Sequence, residues 1–166
     1  EQRLSSSITA PAALKGTIWG QVSEHGGRGV IDYATITVHP YPVYIGLRSN
    51  IEGYAKLNDS ATAEVIAYVP GGGPVAIKNA LVKYYKVEYN SVYRKIQGGR
   101  NRWVSERTER LLDSARIDIT PQGAHVGLVP TNYGRYRITV QDPQGGHQAA
   151  IEFYASGWGY APWSME

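Results

Sequence analysis

The sequence predicts an all-β chain, and three observations carry that prediction. Thirteen Tyr and four Trp stand against a single Phe, with nineteen Gly and nine Pro among 166 residues, a mixture that suits pleated, half-buried surfaces and tight turns better than long helices. Apolar and polar residues alternate in short runs, and Gly- or Pro-rich clusters separate most of them. No helical period intervenes that would carry parallel crossovers. Hydrophobic residues make up 42% of the chain, enough for one complete core with some surplus and too little chain for two domains of average size.

The first sixteen residues are rich in Ser and Ala and end at the turn signal Lys15-Gly16, so they read as a linker or a frayed strand. Alternation starts at Thr17–Val22 and returns at Asp32–Val38 around the loop Glu24-His25-Gly26-Gly27-Arg28-Gly29, a hairpin signature. An isolated hairpin is marginal in water, so this pair is expected either to belong to a sheet whose other strands precede it or to pack on the strands C-terminal to it. Two prolines at i and i+2 in His39-Pro40-Tyr41-Pro42 remove two ladder donors and force extended geometry, which makes this the expected boundary.

Beyond it, strands are expected near 43–48, 62–68, 80–89, 102–112, 116–120, 124–129, 135–141 and 149–154. The clusters at 70–74, 97–99, 121–123 and 142–146 supply the reversals. In one late strand Tyr136, Ile138 and Val140 share a face opposite Arg135, Arg137 and Thr139. Ala149, Ile151 and Phe153 repeat the pattern, as expected of an antiparallel sheet with one wet face. Residues 106–115, rich in Glu, Arg and Leu, are the one place where a short helix competes. Seven or eight short strands within 43–155 match a β-sandwich.

The chemistry of a catalytic site is not in view. With no Cys, disulfides, Cys-based zinc sites and thiol nucleophiles are excluded, though cytosol and bacterial periplasm are not distinguished. His25, His39, His125 and His147 lack a second ligand at metal spacing and read as loop or surface residues. Asp113 and Asp118, or Glu106 and Glu109, read as solvated sheet charges, and the glycine runs precede no helix or Lys-Ser/Thr pair. The chain is therefore expected not to be an enzyme and to need no cofactor or metal. No stretch approaches the ~20 apolar residues of a membrane span. The start, lacking Met and an apolar leader, reads as a piece of something longer.

Charge is concentrated in one region. From residue 83 to 110 eight Lys or Arg meet three Glu, a local +5 in a chain of net +3, which leaves −2 for the remainder. Interleaved with aromatics, this stretch has the composition of a single-strand nucleic-acid surface. The stronger reading is a pair of amphipathic strands with Tyr85, Val87 and Tyr89 towards a core and the basic stems on the wet face, so no nucleic-acid partner is expected. Tyr84, Lys86, Arg94, Arg102, Trp103 and Arg107 form a candidate interaction surface for protein or glycan. Trp158, Tyr160 and Trp163 form a second aromatic group, read foremost as a linker tucked against a following domain and otherwise as a stacking or docking group.

At these residues a family resemblance enters. The run Pro130-Thr131-Asn132-Tyr133-Gly134-Arg135-Tyr136-Arg137-Ile138-Thr139-Val140, followed by Ile151-Glu152-Phe153-Tyr154-Ala155-Ser156-Gly157-Trp158-Gly159, resembles the end of a macroglobulin-like domain of bacterial α2-macroglobulins. Val43-Tyr44-Ile45-Gly46-Leu47, and Val82-Lys83-Tyr84-Tyr85-Lys86 through Arg102-Trp103-Val104-Ser105-Glu106-Arg107, are similar to that family's domain start and long hairpin. The similarity spans about 39–159.

The resemblance implies a seven-stranded sandwich of two antiparallel sheets, a macroglobulin-like or immunoglobulin-like fold. Residues 1–38 would be the last strands of a preceding macroglobulin-like domain plus linker, 39–157 the complete domain, and 158–166 a linker to the next. It implies a structural module of a large periplasmic or cell-envelope protease inhibitor, with neighbouring domains and, through the whole protein, proteases as partners. In that family a bait segment is cleaved and a Cys-Gln thioester captures the protease, but with no Cys for the thioester and no long flexible insertion for a bait, neither element carries over to these residues. The alternative is a stand-alone immunoglobulin-like module that binds glycan or protein.

Overall fold

The computed structural model describes residues 10–95 and 101–157, and every described element is a strand or a turn. The chain divides into two compact units, one running to Pro42 and one starting at Val43. The stretch considered for a helix, 106–115, is strand throughout.

In the first unit β1 (Leu14–Val22) and β2 (Val30–Val38) pair antiparallel in unbroken register from Leu14 opposite Val38 to Val22 opposite Val30. Both begin earlier than the alternation indicates. Because directly opposed residues share a face, one side of this hairpin collects Leu14, Ile18, Val22, Val30, Ala34, Ile36 and Val38. The same side holds Asp32 opposite Gly20, and the other carries Lys15, Thr17, Gln21, Ile31, Thr35 and Thr37, with Trp19 opposite Tyr33. The large side chains of the apolar face are 39–77% exposed.

The second unit contains β3 (Tyr44–Ser49), β4 (Ala55–Lys56), β5 (Ala61–Tyr68), β6 (Ile77–Lys95), β7 (Asn101–Ile119), β8 (Ala124–Leu128), β9 (Gly134–Gln141) and β10 (Gln148–Ser156). They form two sheets, in the order β4-β10-β9-β6-β7 and β3-β5-β8. The expected sandwich is present, with eight strands instead of seven. The additional β4 is two residues long and pairs parallel with β10, whereas the other pairings are antiparallel.

Alternation explains the core. In β5, Ala61, Ala63, Val65 and Ala67 are buried while Thr62, Glu64, Ile66 and Tyr68 point away. Small side chains on this strand leave room for the larger Tyr136, Ile138 and Val140 of β9 and Phe153 of β10, the large-against-small filling that closes a core without voids. Ala80, Val82 and Tyr84 of β6, Ile119 of β7, Val126 of β8 and Ile45 of β3 complete the cluster.

Two sequence expectations fail on β6 and β7. The predicted strands 102–112 and 116–120 are a single strand, in which Tyr84 pairs with Asp113 and Tyr85 with Leu111, leaving Leu112 as a bulge. Asp113 looks like a chain break, but its carboxylate accepts from the Ser114 N–H at 2.7 Å and the ladder resumes. The core face is Val82, Tyr84 and Lys86, not Tyr85, Val87 and Tyr89: Tyr89 is 46% exposed, and Val87 is buried on the opposite face. A lysine on the inner face reverses the choice that the alternation of charge suggests.

His147 also departs from expectation. Its ring is buried, with the centroid 4.8 Å from that of Tyr44, and its Nδ1 accepts from the Ile45 N–H at 2.9 Å. The histidine thereby ties the start of β10 to β3 in the other sheet, and a backbone donor that a solvent-facing His would leave unpaired is satisfied.

Candidate interaction surface

Lys86 is only 7% exposed. Its Nζ donates to the Tyr133 carbonyl oxygen, lies 3.5 Å from that of Asn132, and sits 4.1 Å from the centre of the Tyr136 ring. An ammonium taken out of water is tolerable only where carbonyl dipoles and a ring face replace the lost hydration. Tyr136 secures the same loop, donating from its hydroxyl to the Asn132 carbonyl at 2.8 Å and accepting from the Asn132 N–H at 3.2 Å. Gly134 is required here, since it has φ +117° and a Cβ would approach Lys86 Nζ to 2.9 Å. Lys86 therefore holds the β8–β9 loop and offers no cation to a partner. Tyr84 is buried beside it, and its hydroxyl pKa is raised, foremost by burial.

On the outer face of the five-stranded sheet three arginines gather around two glutamates. Arg107 and Arg137 each lie 2.6 Å from a Glu109 carboxylate oxygen, Arg107 also pairs with Glu152, and Arg135 stands 3.9 Å from Glu152. Burial opposes ionisation of Glu109, but the two guanidiniums outweigh it and its pKa is lowered. The Arg107 pKa is raised by its hydrogen bonds to Glu152 and then Glu109. Pairs this exposed contribute about 0–1 kcal/mol each. Their consequence is that Arg107, central to the local positive charge, is already engaged. Arg135 donates to the Tyr89 hydroxyl at 3.0 Å and lies 5.3 Å over its ring.

The remaining candidates lie further out. β9 pairs with β6 only from Leu81 to Val87, so from Glu88 opposite Thr108 to Lys95 opposite Asn101 the strands β6 and β7 pair only with each other. Eight residue pairs at about 3.3 Å each make an arm of roughly 26 Å. Tyr89, Ser91 and Tyr93 share one face with Arg107, Ser105 and Trp103. Tyr93 and Trp103 are 58% and 66% exposed, with ring centroids 5.2 Å apart. On the other face Arg94 is directly opposite Arg102 and pairs with Glu106 at 2.5 Å.

The structure therefore brings Arg94, Arg102 and Trp103 together, places Arg107 at the foot of the arm and buries Tyr84 and Lys86. Trp158, Tyr160 and Trp163 lie outside the described residues. Tyr93, not among the expected surface residues, joins the surface, and so does Tyr89, which was expected to face the core. The available signal was spacing, since Tyr93 and Trp103 are equally far from Gly98 in the sequence.

Two clefts among the described residues offer little chemistry. One is lined by Leu47, Arg48, Glu64, Ile66 and Gln122, where Arg48 and Glu64 pair with each other; the other is lined by Tyr54, Leu57, Asn58 and Tyr133. Among the described residues no group of His, Asp and Glu is placed to hold a metal ion, and no helix is long and apolar enough to cross a membrane.

Residues 46–158 match the family model of bacterial macroglobulin domain 6. An α2-macroglobulin homologue of Yersinia pestis is 26% identical over 133 residues, and an α2-macroglobulin of Rickettsia conorii is 30% identical over 135; each match covers 80% of this chain. The chain spans only 7% of the length of these relatives. Among solved structures, the native conformation of Escherichia coli α2-macroglobulin superposes with TM-score 0.66 at 15% identity, covering 89% of this chain and 10% of that one. Salmonella α2-macroglobulin reacted with methylamine gives 0.65 at 15%, with the same coverage.

Proposed function

We propose that this chain, which belongs to the bacterial macroglobulin domain 6 family, is a non-catalytic structural module of a large α2-macroglobulin-like protease inhibitor. The observation that carries this reading is the family match over 46–158 in a chain that spans 7% of its relatives' length. A sandwich whose outer face engages Arg107, Arg135 and Arg137 with Glu109 and Glu152, and which has no nucleophile paired to a base among its described residues, is suited to holding neighbouring domains in place. Capture of the protease, by bait cleavage or any covalent step, belongs on this reading to other parts of the parent, working in the periplasm or cell envelope.

The first unit supports the same organisation. The face of β1–β2 built from Leu14, Ile18, Val22, Val30, Ile36 and Val38 has the composition of the inner side of a sandwich, as the closing strands of a preceding macroglobulin-like domain would have. On this reading residues 158–166 lead to the next domain.

The test uses the full-length parent. Incubated with trypsin or elastase and passed over a sizing column, it should be cleaved and carry the protease with it, while the second unit alone, 43–157, should neither retain nor inhibit either enzyme. A parent that leaves both proteases free and fully active sinks the inhibitor reading. A glycan-array signal from the isolated unit would instead favour the stand-alone binding module.

A further inference from the structure

Among the described residues no third strand pairs with the outer half of β6–β7, and each of its faces carries a different demand. The front is aromatic: Tyr89 and the Tyr93–Trp103 pair, separated by Ser91 opposite Ser105. Exposed Tyr, Trp and Arg gathered on one hairpin are the composition of an interface hot spot, and only the small Ser91 and Ser105 stand between the rings. The back is electrostatically unfinished. Arg94 directly opposes Arg102, an unfavourable cross-strand pair, and among the described residues Glu106 is paired with Arg94. Arg102 has no carboxylate partner among the described residues. A carboxylate supplied from outside would relieve that repulsion.

We propose that this arm inserts into a cleft on another domain of the same parent chain, a cleft whose one wall is apolar and meets Tyr89, Tyr93 and Trp103, and whose other wall bears carboxylates for Arg94 and Arg102. The proposal rests on the multidomain reading above. A membrane would be met by apolar groups on every side of a tip, whereas these aromatics occupy one face over about 13 Å of strand. A nucleic acid needs cations beside the stacking rings; on that face Arg107 is engaged by Glu109 and Glu152 and Arg135 is bonded to Tyr89, which leaves Lys95, opposite Asn101, as the one other basic position next to the rings among the described residues. A partner on the same chain is favoured because the chain spans 7% of its relatives' length. A tethered surface reaches effective concentrations of about millimolar, at which a small contact is occupied.

The experiment places the photoreactive residue p-benzoylphenylalanine at position 103 of the full-length parent, and separately at the exposed Arg48 as a reference. After irradiation the crosslinked peptides are mapped. Crosslinks from position 103 should converge on one other domain of the same chain, next to Asp or Glu, and Arg102→Glu should lower their yield about fivefold or more at unchanged melting temperature. Crosslinks between copies, to lipid or to nucleic acid, or a yield no higher than that from position 48, overturn the proposal. Protease retention by the same preparation is scored separately. Retention without the crosslink removes the clasp and keeps the inhibitor reading, and the crosslink without retention does the opposite.

Discussion

The two halves of the β6–β7 hairpin have the same pairing and different surroundings. From Leu81 to Val87, β6 has β9 on its second edge and the core cluster beneath Val82 and Tyr84. From Glu88 to Lys95 the same strand pairs with β7 alone, and its aromatics are exposed. Nothing in the ladder changes at Val87. What changes is the coverage, so the inner half is held by burial and the outer half by β propensity and pairs such as Tyr93–Trp103 and Arg94–Glu106. A two-stranded ribbon of that kind is marginal by itself, and the difference separates a scaffold from a surface free to meet something else.

The sharpest way to break the comparison is to remove side chains from each half's support. Ile138→Ala, in the fully buried centre of β9 opposite Tyr84, should cost about 2–5 kcal/mol in urea denaturation. Val104→Ala, out on the arm opposite Val92, should cost about 0.5 kcal/mol or less. Similar losses at both sites would mean that the arm is part of the cooperative unit.

Lys86 tests the junction between the halves with a smaller effect. Lys86→Met keeps the stem but leaves loop carbonyls without their donor, and should lower stability by about 1–3 kcal/mol. Lys83→Met, on the outer face three residues away, should change it by about 0.5 kcal/mol or less. If the two variants melt alike, Lys86 does not hold the loop.

The smallest effect is electrostatic and belongs to the foot of the arm. The Glu109 pKa is lowered from 4.5 in the folded chain, so its contribution is present above pH 4.5 and is lost as pH falls through the folded value. Glu109→Gln should therefore be less stable than the parent sequence at neutral pH, and the gap in urea midpoint should close on acidification below 4.5. A gap independent of pH would assign the loss to packing.

Much of the fold was legible in local patterns. The alternation of Tyr136, Ile138 and Val140 against Arg135, Arg137 and Thr139 identified β9 and its buried face, because period two leaves a half-buried strand one way to lie. The turn at 121–123 between β7 and β8 was equally plain, and Gly123 takes φ +99° there. β4 escaped notice because two residues have no period, and its pairing with β10 is set by residues 100 positions away, Ala155 for Ala55 and Ser156 for Lys56. The candidate surface was legible in composition, as basic and aromatic residues between 83 and 110, and not in arrangement. Charge pairing that removes Arg107 from that surface needs Glu152, which lies 45 residues further on.

Composition, alternation and the ordered short matches along the chain were enough, without coordinates, to establish an all-β sandwich of the macroglobulin family. Each rests on local preference or on residues close in sequence. Tertiary structure alone decided that β7 runs unbroken through a bulge at Leu112, that Lys86 and His147 point inward, and that β9 ends its pairing at Val87 and leaves an arm beyond. In each case the deciding partner is distant in sequence: the carbonyl of Tyr133 for Lys86, the amide of Ile45 for His147, and the absence of any third strand for the arm among the described residues. Burial of a polar group depends on what satisfies it, and that partner has no local signature.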